Sequence, residues 1–240
     1  MASSEESRDI GAETVADADD LDRLRRRLAN VIGHALRTPT ATVRGQAEIL
    51  ASTNDPEQRQ QAIEALRRTS RRLEEMIDEV LVVQGLGTRL PTGTPQELSV
   101  ADEVRWVGAD LEVVDDVEVV GDTGTTVTVG RDSLRWVLRA VLDNAGRYGQ
   151  GPVRVAIDAA PEATRLRVWN PAGGIGATDD DVRLAFEPFY RGERAVTVAA
   201  TRLGLGLTAA RQILDELGGD IRLERDEQGA IITHLELPRA

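Results

Sequence analysis

Apolar residues in the first third of the chain recur at helical intervals. A helical stretch from Asp19 to Ser52 carries leucines at 21, 24 and 28. After a break, where Asp55 before Pro56 predicts a helix cap, a heptad seam with one polar member follows: Ile63, Leu66, Ser70, Leu73, Ile77 and Val80. The pattern predicts a helical hairpin whose narrow seam is half exposed in a monomer and buried by dimerisation into a four-helix bundle.

The pattern changes to short strands and helices after residues 85–95, which are rich in glycine, proline and threonine and predict a linker. Beyond them we expect helices at 100–111, 132–147, 179–186 and 205–217, and strands at 117–120, 125–129, 153–157, 166–169, 221–224 and 231–237. The last helix should end at Gly218, a typical C-cap. The fold class is therefore α+β and multidomain: a disordered lead-in (1–17), a hairpin (18–86), a linker (87–96) and an α/β sandwich (97–240). Its core should include Trp106, Trp136 and Trp169.

Composition narrows the function classes. The 240 residues carry 41 acidic and 29 basic side chains, a net charge of −12 that argues against nucleic-acid binding. There is no cysteine, so disulfides and thiolate metal sites are excluded, and two histidines cannot build a His-rich site. The longest strongly apolar run, Val80–Val83, is too short for a membrane span, and the polar N-terminus lacks a signal-peptide core. We therefore expect a soluble, cytoplasmic chain. It can also be the soluble portion of a membrane receptor.

The segment Gly33–Pro39 (GHALRTP) pairs a histidine with a proline inside a helix. A proline costs about 3 kcal/mol in an ordinary helix interior, so a kink beside the hairpin's only histidine suggests a use. An imidazole can attack phosphorus and carry a labile phosphoryl group. Taken alone, this segment can also be interpreted without a catalytic role, with His34 as a surface histidine beside an incidental proline.

Three segments of the second half carry candidate ligand groups. In Leu142–Tyr148, the Asn144 oxygen could ligate Mg²⁺ and Arg147 could contact phosphate, although helix capping by Asn144 or Gly149 is the alternative. In Trp169–Ile175, Asn170 could accept a hydrogen bond from an adenine amine, although an ordinary loop explains this segment equally well. In Leu203–Leu207 (LGLGL), glycines open a helix whose amides could bind phosphate, although such a short motif is weak by itself.

Together these four segments resemble, in order and spacing, the H, N, G1 and G2 boxes of the sensor histidine kinase family. Phe186–Gly192 (FEPFYRG) is similar to that family's F box. The resemblance implies a homodimeric phosphoacceptor bundle followed by a Bergerat-type ATP-binding domain. It implies that His34 takes the γ-phosphate of ATP and passes it to an aspartate of a response regulator receiver domain. Thr38 matches the position that orients water when the family dephosphorylates its regulators.

The same resemblance implies the site residues. The catalytic set is His34, Arg37 and Thr38, and Mg²⁺ is held by Asn144. ATP would be bound by Asn144, Arg147, Tyr148, Asn170, Gly174, Ile175, Arg191, Gly204, Leu205, Gly206 and Leu207. A short lid over ATP would lie between Arg191 and Thr201, and the input would come from a sensor domain or partner outside this chain.

Four positions depart from the family pattern. Ala35 replaces the acidic residue that serves as base after the histidine, a loss worth about 10²–10⁴-fold in rate. Asn170 replaces the adenine-reading aspartate, Ala140 the first asparagine of the N box, and Arg202 a glycine before Leu203. The alternative function is therefore a degenerate, kinase-impaired dimeric scaffold or a response-regulator phosphatase.

An alternative from another class is a serine kinase that acts on an anti-sigma partner. The hairpin with His34-x-x-Arg37-Thr38-Pro39 speaks against it, because those kinases lack such a hairpin. The second histidine, His234, falls in the last predicted strand, and we expect it to be partly exposed and structural.

Overall fold

The computed structural model describes residues 32–33, 35–83, 93–114, 116–170, 177–192 and 202–238. The chain divides into two compact units, Met1–Glu74 and Glu75–Ala240. His34, Gly174, Ile175 and the predicted lid, like the predicted lead-in, lie outside the described residues. Within the described part of the chain, no helix has the length and apolar character needed to cross a membrane.

The described residues of the first unit form two helices. Helix α1 covers residues 35–52, and helix α2 spans Pro56–Val83 and continues into the second unit. The predicted cap is present, because Asp55 accepts a hydrogen bond from the Glu57 amide at 3.0 Å. Pro39 lies buried inside α1. Nearby, the Thr40 hydroxyl donates to the Leu36 carbonyl at 2.6 Å.

The apolar seam of α2 is only partly covered in the single chain. Ile77 retains 51% exposure, and the other apolar seam positions are half-buried. The heptad pattern predicts this state for a monomer. A second helical surface is needed to cover the seam.

The described strands of the second unit form two sheets. Its strands are β1 (Pro95–Ser99), β2 (Val117–Gly121), β3 (Thr126–Gly130), β4 (Val153–Ala159), β5 (Ala163–Trp169), β6 (Asp220–Arg225) and β7 (Ile231–Pro238). Strands β1 and β3 form an antiparallel pair, and the other five follow the order β2-β4-β5-β7-β6, with only the β2–β4 pair parallel. A buried apolar row crosses four of them at Ile157, Leu166, Leu235 and Ile221. A register slip of one residue would expose this row, so it fixes the sheet.

Helices cover one face of the large sheet. They are α3 (Val100–Asp110), α4 (Arg131–Tyr148), α5 (Asp179–Leu184) and α6 (Gly206–Leu217). One core joins α3, α4 and α6 to the strands and includes Val82 of α2. Helix α6 ends as expected, with Gly218 in the left-handed conformation at φ 75°. The α+β class is confirmed.

Two expectations need correction. Residues 95 and 96 fall in the predicted linker, but they begin β1, whose Leu98 is 2% exposed and pairs with Val127. Trp106 is 49% exposed rather than part of the core. Its ring carries the Arg135 guanidinium 3.5 Å above its centre, so an exposed cation–π contact replaces burial. Trp136 packs against the core as predicted.

Candidate functional site

One open pocket of the second unit gathers most of the predicted nucleotide ligands. Its lining includes Asn144, Arg147, Tyr148, Asn170, Arg191, Gly204, Gly206 and Leu207. Leu205 is the exception, because it is 1% exposed and does not line the pocket. Arg37 and Thr38 lie on α1 in the first unit with exposed side chains.

Helix α4 delivers its polar residues because its apolar face is occupied. Leu138, Val141 and Leu142 are fully buried in the core. The helix therefore turns Asn144 and Arg147 to the pocket. Asn144 does not cap this helix; the Gly149 amide closes it by donating to the Ala145 carbonyl at 2.9 Å.

Gly149 brings the end of α4 against the end of β5. A Cβ at Gly149 would lie 2.4 Å from the Cβ of Asn170, so only glycine permits this approach. Asn170 is 5% exposed, and its amide nitrogen donates to the Gly151 carbonyl at 3.0 Å. That bond fixes the orientation of the side chain, and its amide oxygen is the kind of acceptor suited to an adenine amine.

The glycine segment before α6 is fixed by the F-box-like segment. Gly204 has φ 75°, and a Cβ there would lie 2.6 Å from the Tyr190 carbonyl oxygen. The Phe189 amide donates to the Gly204 carbonyl at 3.0 Å, and Phe189 itself holds a positive φ of 66°. At the start of α6, the N-cap Leu205 makes no side-chain capping bond. The first amides of α6 therefore have the orientation and dipole that favour an anion.

A buried charge cluster lies at the pocket between α4, the glycine segment and the end of α2. Asp143 accepts two bonds from Arg147, at 2.9 and 3.0 Å, and one from Arg202 at 2.7 Å. Arg202 also lies 3.6 Å from the Glu79 carboxylate. We call Glu79, Asp143, Arg147 and Arg202 the charge cluster.

Sequence reasoning assigned only Arg147 of this cluster to the site and missed the other three members. Asp143 had a signal, because it directly precedes Asn144 in the segment chosen for Mg²⁺. Arg202 appeared only as a departure from the family pattern. Nothing in the sequence marked Glu79, a carboxylate on a helix rich in acidic residues that is nevertheless only 5% exposed.

Two tyrosines at the pocket remain protonated well above neutral pH. Burial raises the pKa of Tyr148, and the positive charges of Arg191, Arg202 and Arg147 oppose this rise. Burial and the hydrogen bond to Asp181 raise the pKa of Tyr190, whose hydroxyl donates to that carboxylate at 2.9 Å. Asp181 also closes the capping box of α5 with Thr178. Tyr190 thus ties the F-box-like segment to α5.

The pocket suits a nucleotide with its cation. Glycines at 149 and 204 leave the close backbone approaches that a Cβ would fill, and α6 presents uncapped amides. Within the described ranges no cluster of three or more His, Asp or Glu side chains forms a metal site. Asn144 is an oxygen donor of the kind Mg²⁺ accepts, and Mg²⁺ usually takes few protein ligands and completes its shell with phosphate and water.

Comparisons with known proteins agree with this geometry. Residues 129–240 match the family described as histidine kinase-, DNA gyrase B- and HSP90-like ATPase, and residues 24–85 match the His Kinase A phospho-acceptor domain. The sensor protein SrrB of Staphylococcus aureus is 23% identical over 234 residues. That match covers 92% of this chain and 39% of SrrB, so the chain spans about two fifths of the curated relatives it matches.

Solved structures share the fold. The Acinetobacter baumannii histidine kinase AdeS superposes with a TM-score of 0.58 at 22% identity, covering 85% of this chain and 97% of AdeS. Full-length ShkA, solved in complex with AMPPNP, gives a TM-score of 0.60 at 21% identity, covering 90% of this chain and 46% of ShkA.

Proposed function

This chain belongs to the sensor histidine kinase family, and from that premise we propose that it is an ATP-dependent autokinase that phosphorylates His34. The observation that carries the proposal is the pocket beside α4 and α6. Three groups converge there: a hydrogen-bond acceptor for adenine, an oxygen ligand for Mg²⁺, and a helix N-terminus suited to an anion. A phospho-acceptor domain precedes it in the same chain. Both halves of a phosphoryl transfer, donor site and acceptor group, are then encoded together.

The residues divide the work as follows. Asn170 would accept a hydrogen bond from the adenine amine. The backbone amides at the start of α6, next to Gly204 and Gly206, would bind phosphate. Asn144 would hold Mg²⁺, which shields the phosphate charge. A nitrogen of the His34 imidazole would attack the γ-phosphorus, the bond to ADP would break, and phosphohistidine would result. Gly174 and Ile175 would complete the adenine side, and Arg191 would begin the lid.

We place the phosphorylated protein in two-component signalling. An aspartate carboxylate of a response regulator would attack the phosphohistidine and take its phosphoryl group. Arg37 and Thr38, exposed on α1 within one helical turn of His34 in sequence, would contact that partner and orient water for dephosphorylation. A homodimer would cover the exposed seam of α2, a cytoplasmic setting would supply ATP, and a sensor domain or partner outside this chain would supply the signal.

The decisive experiment is incubation of the purified chain with γ-labelled ATP and Mg²⁺, beside a His34→Gln variant. We expect label on the wild type and none on the variant. The label should be lost in acid and survive in alkali, because phosphohistidine is acid-labile. Acid-stable label would instead support a serine kinase, and absence of label on the wild type would reject the autokinase.

A second function is favoured by Ala35. With no carboxylate beside His34, the chain would act as a kinase-impaired scaffold or as a phosphatase of the regulator. Incubation of the protein with a phosphorylated receiver domain tests the phosphatase. Loss of regulator phosphate that depends on Thr38 would support this second function, provided that autophosphorylation is absent.

A further inference from the structure

The charge cluster contains an arginine shared between two carboxylates that lie far apart in the sequence. The Arg202 side chain is 19% exposed, and those of Asp143 and Glu79 are 11% and 7% exposed. Arg202 is 2.7 Å from Asp143 at the end of α4 and 3.6 Å from Glu79 near the end of α2. Removing such charges from water is costly, so a buried cluster of this kind persists only where the charged groups are placed to compensate one another.

This cluster lies at the end of the pocket assigned to phosphate and Mg²⁺. Asn144 follows Asp143 directly, and a Cβ at Gly206 would lie 3.6 Å from the Glu79 carboxylate. All four cluster members line the pocket together with Gly204 and Gly206. The cluster and a bound triphosphate would therefore occupy adjoining space.

The charges of the cluster balance, with two arginines and two carboxylates. A triphosphate brings further negative charge to the same place. Guanidinium groups bind phosphate oxygens through paired, charge-assisted hydrogen bonds. Of the two arginines, Arg147 makes two bonds to Asp143, whereas Arg202 makes one bond to Asp143 at 2.7 Å and a looser contact with Glu79 at 3.6 Å. Arg202 is the arginine that a phosphate group can draw away.

We propose that Arg202 is a latch for which Glu79 and the nucleotide phosphates compete. Engaged with Glu79, Arg202 holds the last turns of α2 against the rest of the second unit, whose core includes Val82. When Arg202 is drawn to phosphate, less positive charge compensates the buried Glu79 carboxylate. The last turns of α2 then loosen, because Glu79 is more stable closer to solvent. The latch rests on the proposed function, because it requires that this pocket binds ATP.

A double-mutant cycle tests the competition. Affinity for AMPPNP with Mg²⁺ is measured by calorimetry in wild type, Glu79→Gln, Arg202→Ala and the double variant. We expect Glu79→Gln to tighten AMPPNP binding by about threefold to tenfold. In the Arg202→Ala background the same Glu79 substitution should change affinity less than about twofold. Glu216→Gln, at an exposed carboxylate of α6, should leave affinity unchanged.

Each other result overturns the latch. An equal gain from Glu79→Gln in both backgrounds would mean simple removal of negative charge, and no gain would mean no competition. If the wild type binds AMPPNP without coupling between the two positions, only the latch fails. If neither the wild type nor any variant binds AMPPNP, the proposed function fails with it.

Hydrogen exchange on the wild type supplies a test that needs no substitution. Saturating AMPPNP with Mg²⁺ should raise amide exchange in residues 76–83 by at least about threefold, because release of Glu79 frees the helix end. The amides of α4 and α6 at the pocket should become protected. Unchanged or slower exchange in residues 76–83 would overturn the latch.

Discussion

At the residue scale, neighbouring side chains of α4 take different tasks. Asp143 turns into the charge cluster and accepts bonds from Arg147 and Arg202, while Asn144 is the neutral oxygen donor beside it. A carboxylate already shared by two guanidinium groups has little capacity left for a cation, whereas an amide oxygen has no such competition. The metal role proposed for Asn144 rather than Asp143 follows from this division.

The missing base after His34 defines one residue-scale prediction. Ala35→Glu supplies a carboxylate next to the imidazole, and general bases contribute about 10²–10⁴-fold in rate. We expect Ala35→Glu to raise the rate of acid-labile labelling from ATP by at least about tenfold. Ala35→Gln is the control for size and polarity. Equal rates for the three proteins would show that the base is not limiting.

Gly204 and Gly218 have the same φ of 75°, so substitutions at these two positions distinguish backbone strain from steric crowding of an added Cβ. At Gly218 nothing lies within 4 Å of an added Cβ, whereas at Gly204 the Tyr190 carbonyl oxygen lies 2.6 Å away. Gly218→Ala should cost about 1 kcal/mol of unfolding free energy, from backbone strain alone. Gly204→Ala should cost about 1–3 kcal/mol more and weaken ATP binding. Urea unfolding measures the loss of stability in each variant, and ATP titration measures the change in affinity. Equal losses of unfolding free energy in the two variants would contradict the contact with Tyr190.

His234 predicts an acid sensitivity of the fold. Burial lowers its pKa below 6.5, helped by the Arg222 charge and opposed by Glu224. Below pH 6.5 the unfolded chain therefore binds more protons at this position than the folded chain does, so stability falls as pH falls. His234→Gln should lose less unfolding free energy than wild type between pH 7 and pH 5, with no difference in slope above pH 7. Arg222→Gln should show an intermediate loss, and parallel curves would contradict the assignment.

At the element scale, the sequence identifies elements with a strong local signal and misses those defined by distant partners. The end of α6 could be predicted because Gly218 is a left-handed cap that acts locally. Strand β1 was missed because it opens with a proline and follows a glycine-rich segment. Its strand character comes from pairing with β3, about thirty residues away. Trp106 was misassigned because the sequence does not show that Arg135 stacks on its ring.

The missed strand can be tested through Leu98. This side chain is 2% exposed and belongs to the core cluster. Leu98→Ala should cost about 2–5 kcal/mol of unfolding free energy, as expected for a buried leucine. Gln96→Ala, at an exposed position of the same strand, should change stability by about 0.5 kcal/mol or less. A negligible cost at Leu98 would indicate a linker rather than a strand.

At the scale of the whole molecule, the seam of α2 stays half exposed in the single chain, as the heptad pattern predicts for a monomer. The homodimer that would cover this seam stays a prediction from the sequence. Most of the ligands that the resemblance implied line this pocket, but Asp143, Arg202 and Glu79 were not among them, and only Glu79 had no signal of any kind. That side chain could not be found because it contacts Arg202, more than a hundred positions further along the chain.

Dimerisation can be tested at the most exposed seam position. Ile77→Glu places a charge on a side chain that is 51% exposed in the single chain. Burial of that charge in a dimer should raise the dissociation constant by at least about tenfold. Gln61→Glu adds the same charge at an exposed position outside the seam and should leave the dimer intact. Sedimentation velocity distinguishes the two, and a monomeric wild type would refute the dimer.

The division of the chain within α2 has a practical consequence for dissection of the molecule. The boundary between the compact units falls between Glu74 and Glu75, yet the helix continues to Val83. A fragment cut at the glycine-rich stretch would discard Met76 and Val82, whose side chains are buried. Fragments of the second unit for crystallisation or ligand screening should therefore begin no later than residue 75. They then keep a stretch of helix that the sequence alone assigns to the hairpin.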